Sequence, residues 1–340
     1  MTRILIAGIG GASLGTEIAK SLRLCGGYSL LGCDISALAY GRYSQVFDST
    51  FVVQRDRYIE HVLEICISEK VAVLIPGAEE PTRLISGARE RFIERGVHLG
   101  LNTAGVVAQL SNKRRCFALL HERGLRVPAT VSLDSPSALE RVNFPCIIKP
   151  AENSGGSAFV FFARSKKDGE HYAQYLSAQN MHPIAQDYVP HDKGEFTVGV
   201  LSAPDRRIVG SIALKRAFPS KLSIQSQGAD FLISSGISQG HIGPYRDVCS
   251  VAEEIARAVE SAGPLNVQGR VDQSGQFVPF EINPRFSAST YLRALAGFNE
   301  VDRFVKLLLG RETQSPIVVK SGWYLRSLTE LFVADGQVPQ

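Results

Sequence analysis

The sequence predicts a mixed chain, a doubly wound α/β unit that gives way to α+β. Three observations carry this. In the first third, short apolar runs alternate with helical patterns, which implies a parallel sheet covered on both faces. In the middle, strand patterns are broken by polar and glycine-rich turns. Further on, apolar runs at 265–271 and 276–282 flank Gln273-Ser274-Gly275 and read as a β-hairpin. At 340 residues the chain has room for two or three domains.

The first strand covers residues 4–7 and runs into Gly8-Ile9-Gly10-Gly11, with Gly15 inside the next helix. A second strand, 30–33, ends at Asp34, and a third covers 51–53. Asp56 is placed to cap a helix over 58–69, whose Ile59, Val62, Leu63, Cys66 and Ile67 form one apolar face. Strands at 71–75 and 97–99 complete the unit. The glycine loop with Asp34 invites a dinucleotide reading, and hence an NAD-dependent oxidoreductase. The glycines are not in Gly-x-Gly-x-x-Gly register, however, so the alternative is a strand–turn–helix whose N-terminus holds a carboxylate or nothing. Glu79-Glu80 follows Pro76-Gly77 at the carboxyl end of a strand, where α/β sheets carry ligands. The same pair also suits a plain acidic helix start.

Ser111-Asn112 can cap a helix from Lys113 to Glu122, stopped by Gly124. A strand over 144–149 ends in Lys149-Pro150, and another covers 157–163. Between them, Asn153-Ser154-Gly155-Gly156-Ser157 is either a flexible turn or a loop whose N–H groups lie over phosphates. It is no Walker loop, because no Gly-Lys-Ser/Thr opens a helix. The strand 183–189 carries Gln186-Asp187-Tyr188-Val189 into a polar turn and Glu195, an arrangement that offers backbone groups to an adenine edge and a carboxylate to a ribose. Strands 195–201 and 207–214 form a hairpin, and Lys215-Arg216 at its end are either phosphate ligands or solvated ends. Residues 218–231 form a polar loop long enough for a lid, or plain solvent-exposed chain. Asp247 is placed to cap a helix over 248–262.

The chemistry concentrates on the C-terminal hairpin. Side chains alternate across a strand, so Gln268 shares a face with Arg270, and Glu281 with Asn283. Should the faces coincide, one carboxylate and two amide oxygens meet two guanidinium groups, counting Arg285 after Pro284. Oxygen ligands with a single carboxylate suit Mg²⁺ held jointly with nucleotide phosphates. Arg285 is placed to clamp an anion.

Composition narrows the partners. A net charge of +4 is small for this length, and no basic cluster has interleaved aromatics, so nucleic acid is not expected. The six cysteines include no Cys-x-x-Cys, which suggests buried free thiols in a reducing compartment. The seven histidines lack metal-site spacing. No apolar run is long enough for a signal peptide or a membrane span, so no membrane partner and a cytoplasmic location are expected. The segment from Gly322-Trp323-Tyr324 onward reads as a strand and tail that either returns to the first domain or makes a homodimer contact.

In this order the segments resemble the ATP-grasp superfamily, and within it stand-alone relatives of the carbamoyl-phosphate synthase large subunit. Glu281-Ile282-Asn283-Pro284-Arg285 with Gln268 is the most specific part. The resemblance covers nearly the whole chain and implies a Rossmann-like pre-ATP-grasp domain (1–110), a small lobe (111–190) and a large lobe with the C-terminal tail (191–340). It implies that Lys113 and Lys149 neutralise ATP phosphates, and that Ser154, Gly155, Gly156 and Ser157 form a mobile flap. Gln186, Asp187, Tyr188 and Val189 would border adenine, Glu195 would hold ribose, and Lys215 would be a further ATP contact. Glu281, Gln268 and Asn283 would hold two Mg²⁺ ions. Arg285, Lys149 and Arg270 would be catalytic, with Gly10, Gly11, Glu79, Glu80 and Arg285 near the substrate. The hinge Gln186-Asp187 and the long segment to Glu195 depart from the family pattern. There is room for one ATP-grasp unit, against two in a complete synthase.

The implied activity is an ATP-dependent carboxylate–amine ligase working through an acyl phosphate. A kinase or synthase-like subunit making an acyl phosphate for a partner, the oxidoreductase noted above, and a module that only binds are the alternatives. The identity of the carboxylate and the amine is not legible.

Overall fold

The structure, a computed structural model, describes residues 1–11, 14–152, 157–219, 221–311 and 316–338. Strands β1 (Thr2–Ala7), β2 (Tyr28–Asp34), β3 (Ser49–Val52), β4 (Val73–Pro76) and β5 (His98–Leu99) form a parallel sheet in the order β3-β2-β1-β4-β5. This is the doubly wound order, with its switch point between β1 and β4. Ile4, Ile6, Leu30, Val73 and Ile75 feed one apolar layer, while Leu5, Ala7, Leu31 and Leu74 feed the other. Both faces are therefore buried, as the uninterrupted apolar runs require.

The glycines around the switch point have a packing cause. A Cβ on Gly15 would lie 1.9 Å from the Gly8 carbonyl oxygen, and one on Gly77 would lie 2.2 Å from the same atom. The loop after β1, the helix Leu14–Arg23 and the loop after β4 can meet only without those side chains. Asp34 is engaged within the same loop. One oxygen accepts from the Ile9 N–H at 2.8 Å and the other from the Ser36 N–H at 3.0 Å.

A second sheet, antiparallel, holds β6 (Thr130–Ser132), β7 (Cys146–Pro150), β8 (Phe161–Ala163) and β9 (Pro183–Asp187) in the order β6-β9-β7-β8. The helix Lys166–Ala178 covers it and starts at a capping box of Ser165 and Asp168. The strand expected from residue 157 begins at Phe161. Ser157 (φ 64°) and Phe159 (φ 59°) adopt left-handed backbone, which turns the chain instead of extending it. The expected glycine flap, apart from Ser157, lies outside the described residues.

The third sheet is antiparallel and is built from β10 (Glu195–Ser202), β11 (Ile208–Arg216), β14 (Gly240–Ile242), β15 (Pro264–Val271), β16 (Phe277–Asn283) and β17 (Gly322–Tyr324). Its order is β16-β15-β10-β11-β14-β17. Of the segment expected as a loop over 218–231, residues 224–227 form β12 (Ile224–Gln227), which pairs with β13 (Leu232–Ser234) just beyond it. Phe231 stacks on Phe162 of β8, with centroids 4.4 Å apart, and Arg164 forks onto Asp230. That ring contact supplies the apolar anchor that a run of serines and glutamines concealed.

Two expected caps differ. The helix Tyr58–Ser68 starts after Arg57 and has no side-chain cap, so Asp56 does not cap it. The helix Arg246–Ala258 starts after Tyr245 and carries Asp247 in its first turn, where a carboxylate favours the dipole without capping.

The first sheet is locked onto the third. Asn102 donates to the Pro264 carbonyl at 2.7 Å and accepts from Ser261 Oγ and the Ala262 N–H. One apolar layer runs on from Ile18 and Leu22 into Leu292, Phe298 and Phe304. Past β17, the chain comes back to the first unit. Arg326 pairs with Glu17 and donates to the Ala288 carbonyl, and Tyr40 hydrogen-bonds Thr329. Among the described residues no helix is long and apolar enough to cross a membrane.

Substituting Gly15 or Gly77 by Ala is expected to lower unfolding free energy by about 1–3 kcal/mol, because backbone must move to admit the methyl group. Gly87→Ala, where a helical Cβ meets nothing within 4 Å, is expected to add about 0.5–1 kcal/mol. Urea denaturation of the three variants checks the contrast.

Candidate active site

The β15–β16 hairpin brings Gln268 directly opposite Glu281, and Asn266 opposite Asn283. Gln268 Nε2 donates to Glu281 Oε2 at 3.2 Å. The register then slips: Gly269 faces Pro279, leaving Phe280 as the extra residue of a bulge. Gly269 is needed there, since a Cβ would lie 2.5 Å from the Val278 carbonyl oxygen. The Phe280 carbonyl, released from regular pairing, accepts from Lys149 Nζ at 3.1 Å. One bulge thus joins the last turn of the hairpin's chemistry to the lysine of β7.

Lys149 is 5 % exposed, and its ammonium also donates to Gln186 Oε1 at 2.7 Å. Burial, and then the neighbouring Lys113 charge, bring it down to about 7, with Glu281 pulling the other way. Lys113 opens the helix Lys113–Glu122, which Asn112 caps by accepting from the Arg115 N–H. Its own N–H donates to the Ala151 carbonyl at 2.7 Å, fixing the helix start beside the end of β7.

Two cavities meet at the hairpin. One is mainly apolar and lies between β7, β9 and β13, walled by Ile147, Val160, Tyr188, Leu232, Ile233 and Phe280, with Lys113, Lys149, Gln186, Asp187 and Val189 on its rim. The other, of about 320 Å³, is polar and lies between the loop after β4 (Gly77, Ala78, Glu79), the segment Ser235–Ser238 and the loop from Arg285 to Ser289. Ser157, Gln268 and Glu281 line both.

As a cation site, the hairpin supplies oxygens only. Among the described residues no three His, Cys, Asp or Glu side chains cluster. Glu281 is flanked by the Gln268 amide, and Asn283 carries a buried amide nitrogen with no protein partner. The Glu281 carboxylate with the amide oxygens of Gln268 and Asn283 is a donor set that fits a hard divalent cation taking its remaining ligands from elsewhere, while the unpartnered Asn283 N–H is left for an acceptor.

Comparison with known proteins agrees in part of the chain by sequence and over nearly all of it by shape. A family model described as "ATP-grasp in the biosynthetic pathway with Ter operon" matches residues 234–331. The carbamoyl phosphate synthase large chain of Gemmatimonas aurantiaca is 24% identical over 266 residues, covering 74% of this chain and 23% of that one. The chain thus spans about a quarter of that relative. Biotin carboxylase from Campylobacter jejuni superposes with a TM-score of 0.71 at 14% identity, over 94% of this chain and 73% of that one. L-amino acid ligase from Bacillus licheniformis gives 0.68 at 14% identity, over 91% and 74%.

The chain has the ATP-grasp fold.

Within that fold, the expected site residues separate into three groups. Lys113, Lys149, Ser157, Gln186, Asp187, Tyr188, Val189, Gln268, Arg270 and Glu281 all border the apolar cavity. Asn283, Arg285 and Glu79 gather around Glu281 in the adjoining polar space. Glu195, Lys215, Glu80, Gly10 and Gly11 border none of these cavities. Glu195 is fully buried: Arg216 Nη1 takes one oxygen and Arg270 Nε the other, both at 2.9 Å. Lys215, one residue before Arg216 on β11, projects to the other face, where its ammonium sits over Phe196. Glu80 is exposed and pairs with Arg83 at 2.6 Å. Ser154, Gly155 and Gly156 lie outside the described residues.

Arg270, expected to be catalytic, is anchored to structure. Besides Glu195 it donates to the Val189 carbonyl at 2.7 Å and the Leu232 carbonyl at 2.6 Å. Arg216 does the same for the Ser235 and Ile237 carbonyls. Burial draws the Arg216 guanidinium down from its usual range, against the pull of Glu195. Arg293 escaped the sequence reading. Fully buried, it pairs with Glu300 and donates to Thr197 Oγ1 and Asn266 Oδ1, so it positions two residues of the polar cleft. The available signal was a lone arginine in the apolar helix Thr290–Leu295, with Glu300 seven residues on.

Glu195→Gln tests the structural role directly. With two buried guanidinium groups losing their anion, unfolding free energy is expected to fall by about 3–5 kcal/mol in chemical denaturation. A ribose ligand at this position would leave stability unchanged.

Proposed function

We propose that the protein is an ATP-dependent carboxylate–amine ligase that works through an acyl phosphate. The observation that carries the reading is the shared wall: an apolar cavity with two lysines and a polar cleft with an arginine meet at Glu281 and Gln268. The names of the fold's neighbours support ligase chemistry and range from biotin carboxylase to L-amino acid ligase.

In this reading ATP places adenine against Tyr188, Leu232 and Ile233. The Asp187 N–H already donates to Ala129 and the Val189 carbonyl already accepts from Arg270, so the Asp187 carbonyl and the Val189 N–H are left for the base edge. Lys113 and Lys149 face the phosphates. Glu281, Gln268 and Asn283 would hold magnesium, two ions in the fullest form of the site, which would supply screening of the phosphate charge against the attacking carboxylate.

A substrate carboxylate, oriented by Arg285, attacks the γ-phosphorus. A new P–O bond forms, the bond to the β-phosphate oxygen breaks, and ADP leaves. The amine nitrogen then attacks the acyl carbon, the C–O bond to phosphate breaks, and inorganic phosphate departs as the nitrogen gives up its protons. Lys149 and Arg285 act by stabilising charge that grows in both steps. No side chain need become covalently modified. Closure over the phosphates is required to keep water from the acyl phosphate. The reading divides the chain at about residues 110 and 190, and its substrates are small molecules.

ADP release with Mg·ATP, hydroxylamine and a panel of carboxylates tests the reading. Hydroxylamine captures an acyl phosphate as a hydroxamate, so hydroxamate that matches ADP is the expected result. ADP without hydroxamate would place the protein among kinases or ATPases. Glu281→Gln is expected to slow turnover by about a hundredfold, the scale for losing one stabiliser of transition-state charge.

Lys149 also makes nucleotide binding depend on pH. Its free-state value is about 7, and facing polyphosphate raises it, so above pH 7 binding must take up a proton. The dissociation constant for ATP is expected to rise by up to about tenfold per pH unit above 7. Lys149→Met should flatten that slope. Calorimetry in buffers of different ionisation enthalpy measures the proton directly.

A further inference from the structure

The polar cleft has three ionisable side chains among the described residues: Glu79, Glu281 and Arg285. Glu281 belongs to the hairpin's cation site. Glu79 and Arg285 are then the two remaining charges, of opposite sign. They form no ion pair with each other or with any other described residue. Arg285 spends one donor on the Phe286 carbonyl at 3.0 Å, and among the described residues the rest of its fork makes no such bond. Glu79 stands in the first turn of Glu79–Gly87, partly buried, while its neighbour Glu80 turns outward to Arg83.

We propose that Glu79 selects the carboxylate substrate, and that this substrate is an amino acid whose carboxylate meets Arg285 and whose ammonium group meets Glu79. The proposal rests on the ligase reading above and names its substrate class. Charge is the first reason. With Glu281 given to its cation, a simple carboxylate would pair with Arg285 and leave the Glu79 carboxylate uncompensated in a confined space. A zwitterion brings one charge for Arg285 and one for Glu79, and leaves Glu281 to its cation. Chemistry of the lining is the second. Ser235, Ser238, Ser287, Ser289, Thr197 and Asn266 supply hydroxyl and amide groups, which suit a compact polar substrate better than a hydrocarbon chain. Size is the third, since about 320 Å³ is at the lower end of small-molecule sites.

The experiment compares matched pairs, an amino acid and its des-amino analogue such as alanine and propionate, in the hydroxamate assay. Hydroxylamine replaces the amine nucleophile, so any effect of an amino group reports on the carboxylate substrate. The wild type should prefer amino acids. Glu79→Gln should lower kcat/KM for the amino acid by about 10- to 100-fold, the scale of a hydrogen bond to a charged partner, and leave the des-amino analogue unaffected. Glu80→Gln should behave as wild type. Equal use of both analogues, or an equal fall for both in Glu79→Gln, overturns the proposal while the ligase reading stands. Where no carboxylate is turned over, calorimetric titration of amino acids in the presence of Mg·ADP decides. Binding that Glu79→Gln weakens upholds Glu79 as the ammonium site although the ligase reading falls. Absence of amino-acid binding overturns the proposal.

Discussion

The buried carboxylate of Glu195 is the interaction around which both cavities are arranged. It accepts from two arginines of the third sheet, and those arginines hold four backbone carbonyls from other segments. Through Arg270 it fixes Val189, two residues past β9, and Leu232 in β13, two walls of the apolar cavity. Through Arg216 it fixes Ser235 and Ile237, which line the polar cleft. An ion pair taken wholly out of water is costly unless every donor and acceptor finds a partner. Here much of that requirement is met by main-chain carbonyls, so the network defines loop positions as well as charge balance. The Arg216 Nε alone is left without a partner.

The hairpin bulge is the complementary device. A regular β15–β16 ladder would have set Phe280 opposite Gly269. The slip at Gly269 frees the Phe280 carbonyl for Lys149 while keeping Gln268 beside Glu281. The lysine is thereby held within a desolvated wall at a charge that responds to an anion. The C-terminal tail adds a constraint from further away, because Arg326 joins Glu17 of the first unit to Ala288, which lines the cleft. The polar cleft thus has one wall from the parallel sheet and the other from the hairpin region, held in register by Asn102 and by that arginine.

The legible parts of the site were those whose meaning is local. The helix beginning at Lys113, the strand that ends at Lys149 and the pairing of Gln268 with Glu281 follow from a cap, an apolar run and the two-residue period of a strand. Glu195 is ambiguous in the sequence because a carboxylate following a strand edge suits a ribose as well as it suits a buried ion pair. Its partners lie 21 and 75 residues away in sequence, beyond any periodicity. Glu79 and Glu80 show the same limit on a smaller scale. The sequence offers both carboxylates alike, and the turn of one helix sends Glu79 to the cleft and Glu80 to Arg83.

The amino-acid sequence by itself determined the doubly wound opening, the succession of strands that follows it and the chemical kinds of side chain on the hairpin, because each depends on neighbours a few residues apart. Only the tertiary structure decided which charges face a cavity and which are consumed in the core. That choice depends on long-range partners: Arg270 for Glu195, Arg293 for Asn266, and the carbonyl that a bulge turns toward Lys149. A charged side chain costs too much to bury alone, so its role follows from whatever partner the fold brings to it.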